Sequence, residues 1–297
     1  MKRFKKGLLT AAALLALCTA SVSAAADPEV QLDTIANADE AWNEVLEYLA
    51  DADSRYMRFA THDYPTLDIA VTDLDDNGRL EVIFRTSRIS KEIVAAARMQ
   101  KKPAGFIKGM EHVSAVPIGV HAFIYEVTED GTHLEPVKID ILNGDVTADA
   151  PDLMNLRSVH EISAAMGGAR LYHIHTLVRE NAKEWGAPVQ PYRVLYQTLW
   201  LTDNTLFCRL DATEEGSFGI YEEGMPEAIP RLVRVGGMEL SPSNFEGSEF
   251  HESFDKKPAV CGSVCWMSGA DFRKEDFRAN ARTLLASSWY GFSYGMQ

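Results

Sequence analysis

Apolar and polar residues alternate with a period of two on both sides of one acidic stretch. Ile69 and Val71 alternate with Asp68, Ala70 and Thr72 before it, and Leu80, Val82 and Phe84 alternate with Glu81, Ile83 and Arg85 after it. Side chains of a strand point to opposite faces in turn, so residues 73–81 are predicted to join two strands. Strands are also expected at 120–127 and 134–141, joined through Glu129-Asp130-Gly131-Thr132, where Asp-Gly supplies a hairpin turn. A second sheet-like tract covers 169–178, 192–201 and 205–210, with Thr202-Asp203-Asn204 between the last two. Helical spacing places Trp42, Val45, Leu46 and Leu49 on one side of 38–51, and Phe277, Ala281, Leu284 and Leu285 on one side of 274–287. A shorter helix is predicted over 90–99, capped by Ser90. The period of 153–166 is ambiguous, and its end is marked by Gly167-Gly168. Segments 101–119, 211–219 and 236–259 read as loops, being rich in glycine, proline or charge and poor in periodicity.

Hairpins between terminal helices, at intervals too short for crossover helices, predict an α+β fold. Its sheet is mostly antiparallel, with N-terminal and C-terminal packing helices. No linker, repeat or composition break divides residues 27–297, which are read as one domain. Residues 1–26 have the parts of a secretory signal peptide: Lys2, Arg3, Lys5 and Lys6, an apolar run over 8–17, and small residues ending Ala24-Ala25-Ala26. That run is too short for a membrane span, and no later stretch is long and apolar enough for one. Leu17 before Cys18 departs from the small residue that a lipid-anchoring signal carries there. The expected location is therefore the bacterial periplasm, the cell surface or the medium.

Charge narrows the partners. All 43 acidic residues but only 25 of the 29 basic ones lie after residue 26, giving the exported chain a formal charge of −18. Nucleic-acid binding rests largely on phosphate neutralisation by Lys and Arg, so it is not expected.

The acidic stretch reads Asp73-Leu74-Asp75-Asp76-Asn77-Gly78-Arg79-Leu80-Glu81. Oxygen side chains stand at its positions 1, 3 and 5, glycine at 6, and a carboxylate at 9. Calcium takes six to eight oxygens in flexible geometry, and a glycine permits the sharp turn around it. Asp73, Asp75, Asn77, the carbonyl of Arg79, and Glu81 are thus the candidate ligands for Ca²⁺. A full EF-hand is excluded, because its twelfth position would be a glutamate and here is Phe84, and because the flanks have the strand period. Residues 68–84 resemble the calcium loops of integrin-type propeller repeats, and the first half of the loop resembles those of dockerins. The resemblance implies the same five ligands; a propeller repeats the motif, and this chain carries one copy. The competing reading is an empty hairpin turn, since Asn-Gly between alternating apolar residues is itself a hairpin signal.

Other chemistry is sparse. His173 and His175 share a face of a predicted strand, and with His121 or His160 they would offer three ligands to a catalytic zinc or similar ion. A sheet face carrying polar rings is the plainer alternative. No His-Glu-x-x-His and no Gly-rich phosphate loop leading to Lys-Ser or Lys-Thr occurs. Cys261 and Cys265, with three residues between them, suit a local structural bridge better than a redox pair. Tyr192, Tyr196 and Trp200 read as core, with ligand stacking as the alternative. The resulting expectation is an exported calcium-binding protein with a binding or assembly role toward an envelope protein, a peptide or a saccharide. A secreted hydrolase using His173 and His175 is the second reading.

Overall fold

The computed structural model describes residues 25–38, 41–45, 47, 63–90, 118–144, 150–156, 159–179, 190–220, 226–255, 264–272 and 276–288. Most of the predicted signal peptide, Leu46, Leu49, most of the predicted 90–99 helix, Cys261 and the aromatic tail after 288 lie outside them.

The fold is mostly antiparallel sheet with a few helices. Strands β1 (Asp63–Thr72), β2 (Glu81–Ser90), β3 (Ile118–Val127) and β4 (Leu134–Pro136) form one sheet with the short β12 (Met267–Ser268), in the order β12-β1-β2-β3-β4. A second sheet runs β11-β10-β9-β8-β7-β6, from β6 (Glu161–Ser163), β7 (Ala169–Arg179), β8 (Gln190–Thr202), β9 (Thr205–Ile220), β10 (Pro226–Val235) and β11 (Met238–Leu240). The predicted strand at 134–141 is instead broken at Val137. Its second half, β5 (Lys138–Leu142), leaves the first sheet and pairs parallel to Thr205–Arg209 of β9. Val137 donates its N–H to Ile124 O and Lys138 donates to Asn204 O, so the chain changes sheets without losing backbone hydrogen bonds.

Strand alternation builds the layers. Ile69, Val71, Val82, Phe84, Tyr125 and Val127 cluster with Leu32 and Ile35 of α1 (Pro28–Ala36), with Trp42 and Val45, and with Ala281, Leu284 and Leu285 of α5 (Phe277–Ser287). The intervening Ala70, Ile83 and Ile124 cluster with Tyr172, Ile174, Leu199, Leu201, Leu206 and Cys208 of the second sheet. On that sheet's other face, Tyr192, Val194, Tyr196, Ala212 and Phe218 cluster with Phe245 of α2 (Pro242–Glu246) and Phe254 of α3 (Glu249–Asp255). Tyr192, Tyr196 and Trp200 are all buried, as core residues should be.

Two loop expectations are corrected, and one helix is added. Residues 211–219 belong to β9, which runs on because β8 pairs along one edge and β10 along the other. The ladder skips Asp211, since Tyr196 faces Ala212 while Gln197 faces Leu210, and this bulge absorbs one residue. Segment 236–259 contains β11, α2 and α3. Gly236 and Gly237, at φ +54° and +86°, turn the chain, and Ser241 caps α2 by accepting from Asn244 N–H. Ahead of the predicted 38–51 helix, which is described as helical over 41–45 and at 47, stands α1, capped by Asp27 and begun by Pro28. The α4 turn (Gly269–Phe272) and short 3-10 turns at Leu153–Asn155 and Ala164–Met166 complete the helices among the described residues.

Between the sheets Arg85 is buried beside Asp152. Arg85 Nε and Nη2 donate to the two Asp152 carboxylate oxygens at 2.8 and 2.8 Å, and Nη1 lies 3.3 Å from Asp68. Asp152 N–H donates to Thr176 Oγ1, which donates to Gln197 Oε1. This chain of polar contacts joins the two sheets through otherwise apolar packing.

Candidate metal site

The β1–β2 connection is too long for a two-residue turn, and its own backbone and side chains hold its shape. Asp76 and Gly78 take φ +65° and +86°, conformations that an Asp accepts and a Gly favours. Asp73 Oδ1 accepts from Asn77 N–H at 3.2 Å, and Oδ2 accepts from Gly78 N–H at 3.0 Å. Asp75 Oδ1 also faces Asn77 N–H, at 3.3 Å. Glu81, the first residue of β2, reaches back across the loop and accepts from Leu74 N–H at 2.6 Å. Leu74 points the other way, into the core between the sheets.

This wrapping brings one oxygen from each of Asp73, Asp75 and Glu81 within 4.8 Å of one another. Asp73 and Glu81 are 0% exposed. The second oxygen, Glu81 Oε1, is buried with no hydrogen-bond partner. A buried charged oxygen without a donor is costly, and such orphans call for an explanation such as an ion.

Neighbours from three elements enclose the loop. Gln31 of α1 donates to Gly78 O and accepts from Leu80 N–H, each at 2.8 Å. Arg170 of β7 donates to Asp73 O and pairs with Asp76 at 2.6 Å, and Tyr172 donates to Leu74 O. Glu126 of β3, 1% exposed, pairs with Arg79 at 2.7 Å and accepts from Asn77 Nδ2. The two arginines are therefore directed at the outer carboxylates, Asp76 and Glu126.

The electrostatics follow from burial. Loss of water, with Asp75 next in effect, pushes the Asp73 carboxyl up to about 7 against the help of Gly78 N–H. Burial, then Asp73, Asp75 and Glu126, raises Glu81 well above the carboxylate range. Asp75 and Glu126 are also raised, each chiefly by burial. Metal-free, the cluster holds protons; a divalent cation would replace them.

The other two predicted ligands are Asn77 and the carbonyl of Arg79. Asn77 Oδ1 accepts from Arg79 N–H at 2.7 Å, and the NH₂ of its amide faces Asp75 and Glu126. Arg79 turns its guanidinium to Glu126. Comparison with protein-family models, curated proteins and solved structures found no match to this chain.

Sequence reasoning missed Gln31, Glu126, Arg170 and Tyr172. Glu126 carried a legible signal: a carboxylate inside the apolar run from Phe123 to Val127. The others gave none, since their role depends on which strands and helices come together.

The histidines form a different arrangement. His160 and His173 stack at 4.8 Å with 10° between their planes, and Phe254 stacks on His173 at 4.3 Å. His175 stands edge-on to Tyr196 and Phe254. Imidazole lone pairs lie in the ring plane, so parallel stacked rings do not aim them at one shared point. His121 is on β3 of the other sheet, against Phe123. Among the described residues, the group with metal-holding geometry is Asp73, Asp75 and Glu81. Cys265 carries a free thiol directed at Ser287 O.

Proposed function

We propose that this is an exported protein whose β1–β2 loop binds Ca²⁺ as a structural ion, and whose surface serves binding or assembly. Asp73, Asp75 and Glu81 hold the ion, with the Arg79 carbonyl and water filling the shell. Asn77 joins them if its amide turns its oxygen inward. The observation that carries this reading is Glu81 Oε1, buried without a donor beside two further carboxylates. An all-oxygen donor set is hard, which suits calcium and disfavours the nitrogen- and sulfur-seeking metals. Magnesium is disfavoured as well, because it demands strict octahedral geometry and keeps several waters.

The role is structural in this reading because the loop joins the molecule's parts. Gln31, Glu126 and Arg170 reach it from α1, the first sheet and the second sheet. The terminal helices act as packing elements over the first sheet, α1 being tied to the loop directly. Export supplies the calcium, since the expected destinations lie outside the cytoplasm, and an affinity on the order of 10⁻⁴–10⁻³ M suffices there. An envelope protein, a peptide or a saccharide remains the proposed class of partner.

Thermal unfolding tests the reading. At 100 times the dissociation constant, calcium adds about 2.7 kcal/mol, on the order of 5–10 °C in midpoint for a chain of this size. The increment should vanish in Asp73→Ala/Asp75→Ala. An equal increment in that double variant would remove the loop from the account.

A further inference from the structure

A cleft of about 770 Å³ opens between α1, the helical turn at 41–45 and the β3–β4 hairpin. Its size is within the usual range for small-molecule sites. The walls are fixed relative to each other: Thr34 Oγ1 of α1 donates to Gly131 O at the hairpin tip, and Ala26 N–H donates to Glu129 O. Val30, Leu134 and Pro136 supply apolar lining, while Asp33, Glu44 and Tyr125 supply polar atoms. The described lining holds no lysine or arginine.

The two carboxylates are not equivalent. Asp33 is paired with Arg278 at 2.6 Å. Glu44 accepts from the Tyr125 hydroxyl through one oxygen, Oε2, and forms no ion pair with a described residue. The base that senses Glu44 is His121, and burial lowers its pKa against the pull of that carboxylate. Burial and Glu44 keep the Tyr125 phenol protonated, so it acts as a steady donor that orients the carboxylate. One Glu44 oxygen is thereby left for a ligand. A guanidinium prefers both oxygens of a carboxylate at once, whereas an ammonium is a compact point charge that one oxygen satisfies.

We propose that this cleft binds an alkylammonium group, with Glu44 meeting the charge and Val30, Leu134 and Pro136 covering the carbon stem. The proposal deepens the binding reading above by naming a ligand class. The ammonium can come from a free diamine or from a lysine side chain of a peptide, and the two sources are separable by experiment.

Calorimetric titration of the calcium-loaded protein at physiological salt, with putrescine, Nα-acetyl-lysine amide and the uncharged 1,5-pentanediol, provides the test. Saturable binding of at least one amine is expected, with no binding of the diol. Putrescine alone would identify a free diamine, and the lysine derivative alone a peptide. Glu44→Gln should weaken binding by about tenfold or more while leaving the unfolding midpoint in place, because its amide oxygen still accepts from Tyr125. No saturable binding up to about 10 mM would overturn the proposal, as would equal binding by Glu44→Gln or by the diol. The calcium increment in unfolding midpoint, read on the same samples, separates the two claims. An intact increment without amine binding removes the cleft alone, and amine binding without an increment removes the metal reading alone.

Discussion

At the scale of single residues, Glu81 separates a metal site from an acidic turn. In the metal-free protein burying Glu81 requires it to take up a proton that the unfolded chain releases near neutral pH, so Glu81→Gln, which is neutral in both states, should raise the metal-free midpoint while abolishing the calcium increment. The glutamine oxygen can still accept from Leu74 N–H, which preserves the loop. A lower metal-free midpoint together with a retained increment would show that Glu81 is a purely structural acceptor. Asp73 gives the accompanying pH dependence. Its carboxyl is raised from 3.8 to about 7 in the folded state, so the native chain holds a proton that the unfolded chain releases. Stability of the metal-free protein should therefore fall as pH rises from about 4 through 7, and the raised Glu81 acts in the same direction. Calcium should reverse that trend, because it binds the deprotonated cluster, and urea unfolding across this pH range with and without calcium would measure both. Arg85 and Asp152 present the opposite case, a buried pair that is already matched. Asp152→Ala removes two charge-assisted hydrogen bonds from the buried guanidinium and should cost about 3–5 kcal/mol in urea unfolding. A cost under about 1 kcal/mol would mean that solvent reaches the pair.

At the scale of elements, the strands around the loop were legible because alternating residues pack on opposite faces of one sheet. Ile69, Val71, Val82 and Phe84 go to the helix-covered face, and Ala70 and Ile83 to the face between the sheets. The second half of β9 was hidden for a physical reason. Its Asp211, Glu214, Glu215 and Gly216 have poor strand character, and partners distant in sequence stabilise them. Tyr192 donates to Glu214, and Arg234 pairs with Glu215. Gly216 is required there, since a Cβ would lie 2.4 Å from Tyr192 Oη and 2.5 Å from Ile229 O. Gly216→Ala should thus destabilise by about 1–3 kcal/mol or more, because one of its atomic neighbours is backbone and cannot rotate away. An unchanged unfolding midpoint would show that β9 and β10 can separate at this point. The break at Val137 was equally hidden, because only the position of β9 makes leaving the first sheet favourable. Of the loop site, the ligand spacing was readable in the local sequence, whereas its closure by Gln31, Glu126 and Arg170 was not. Those contacts join residues 47 to 97 positions apart, and no local pattern encodes them.

At the scale of the whole molecule, the acidic loop stands where a helix and both sheets meet, and the chain carrying it is strongly acidic. Calcium binding there would offset local repulsion and fasten three parts of the fold at once, which makes stability and metal binding two readings of one equilibrium. Direct titration is the decisive measurement: calorimetry of metal-free protein with Ca²⁺ at pH 7.5, beside Asp73→Ala/Asp75→Ala. The account predicts one calcium per chain, with proton release as the raised carboxyls ionise, and no binding by the double variant. A correctly folded wild type that takes up no calcium at millimolar concentration would contradict it and leave Asp73 to Glu81 as an acidic turn.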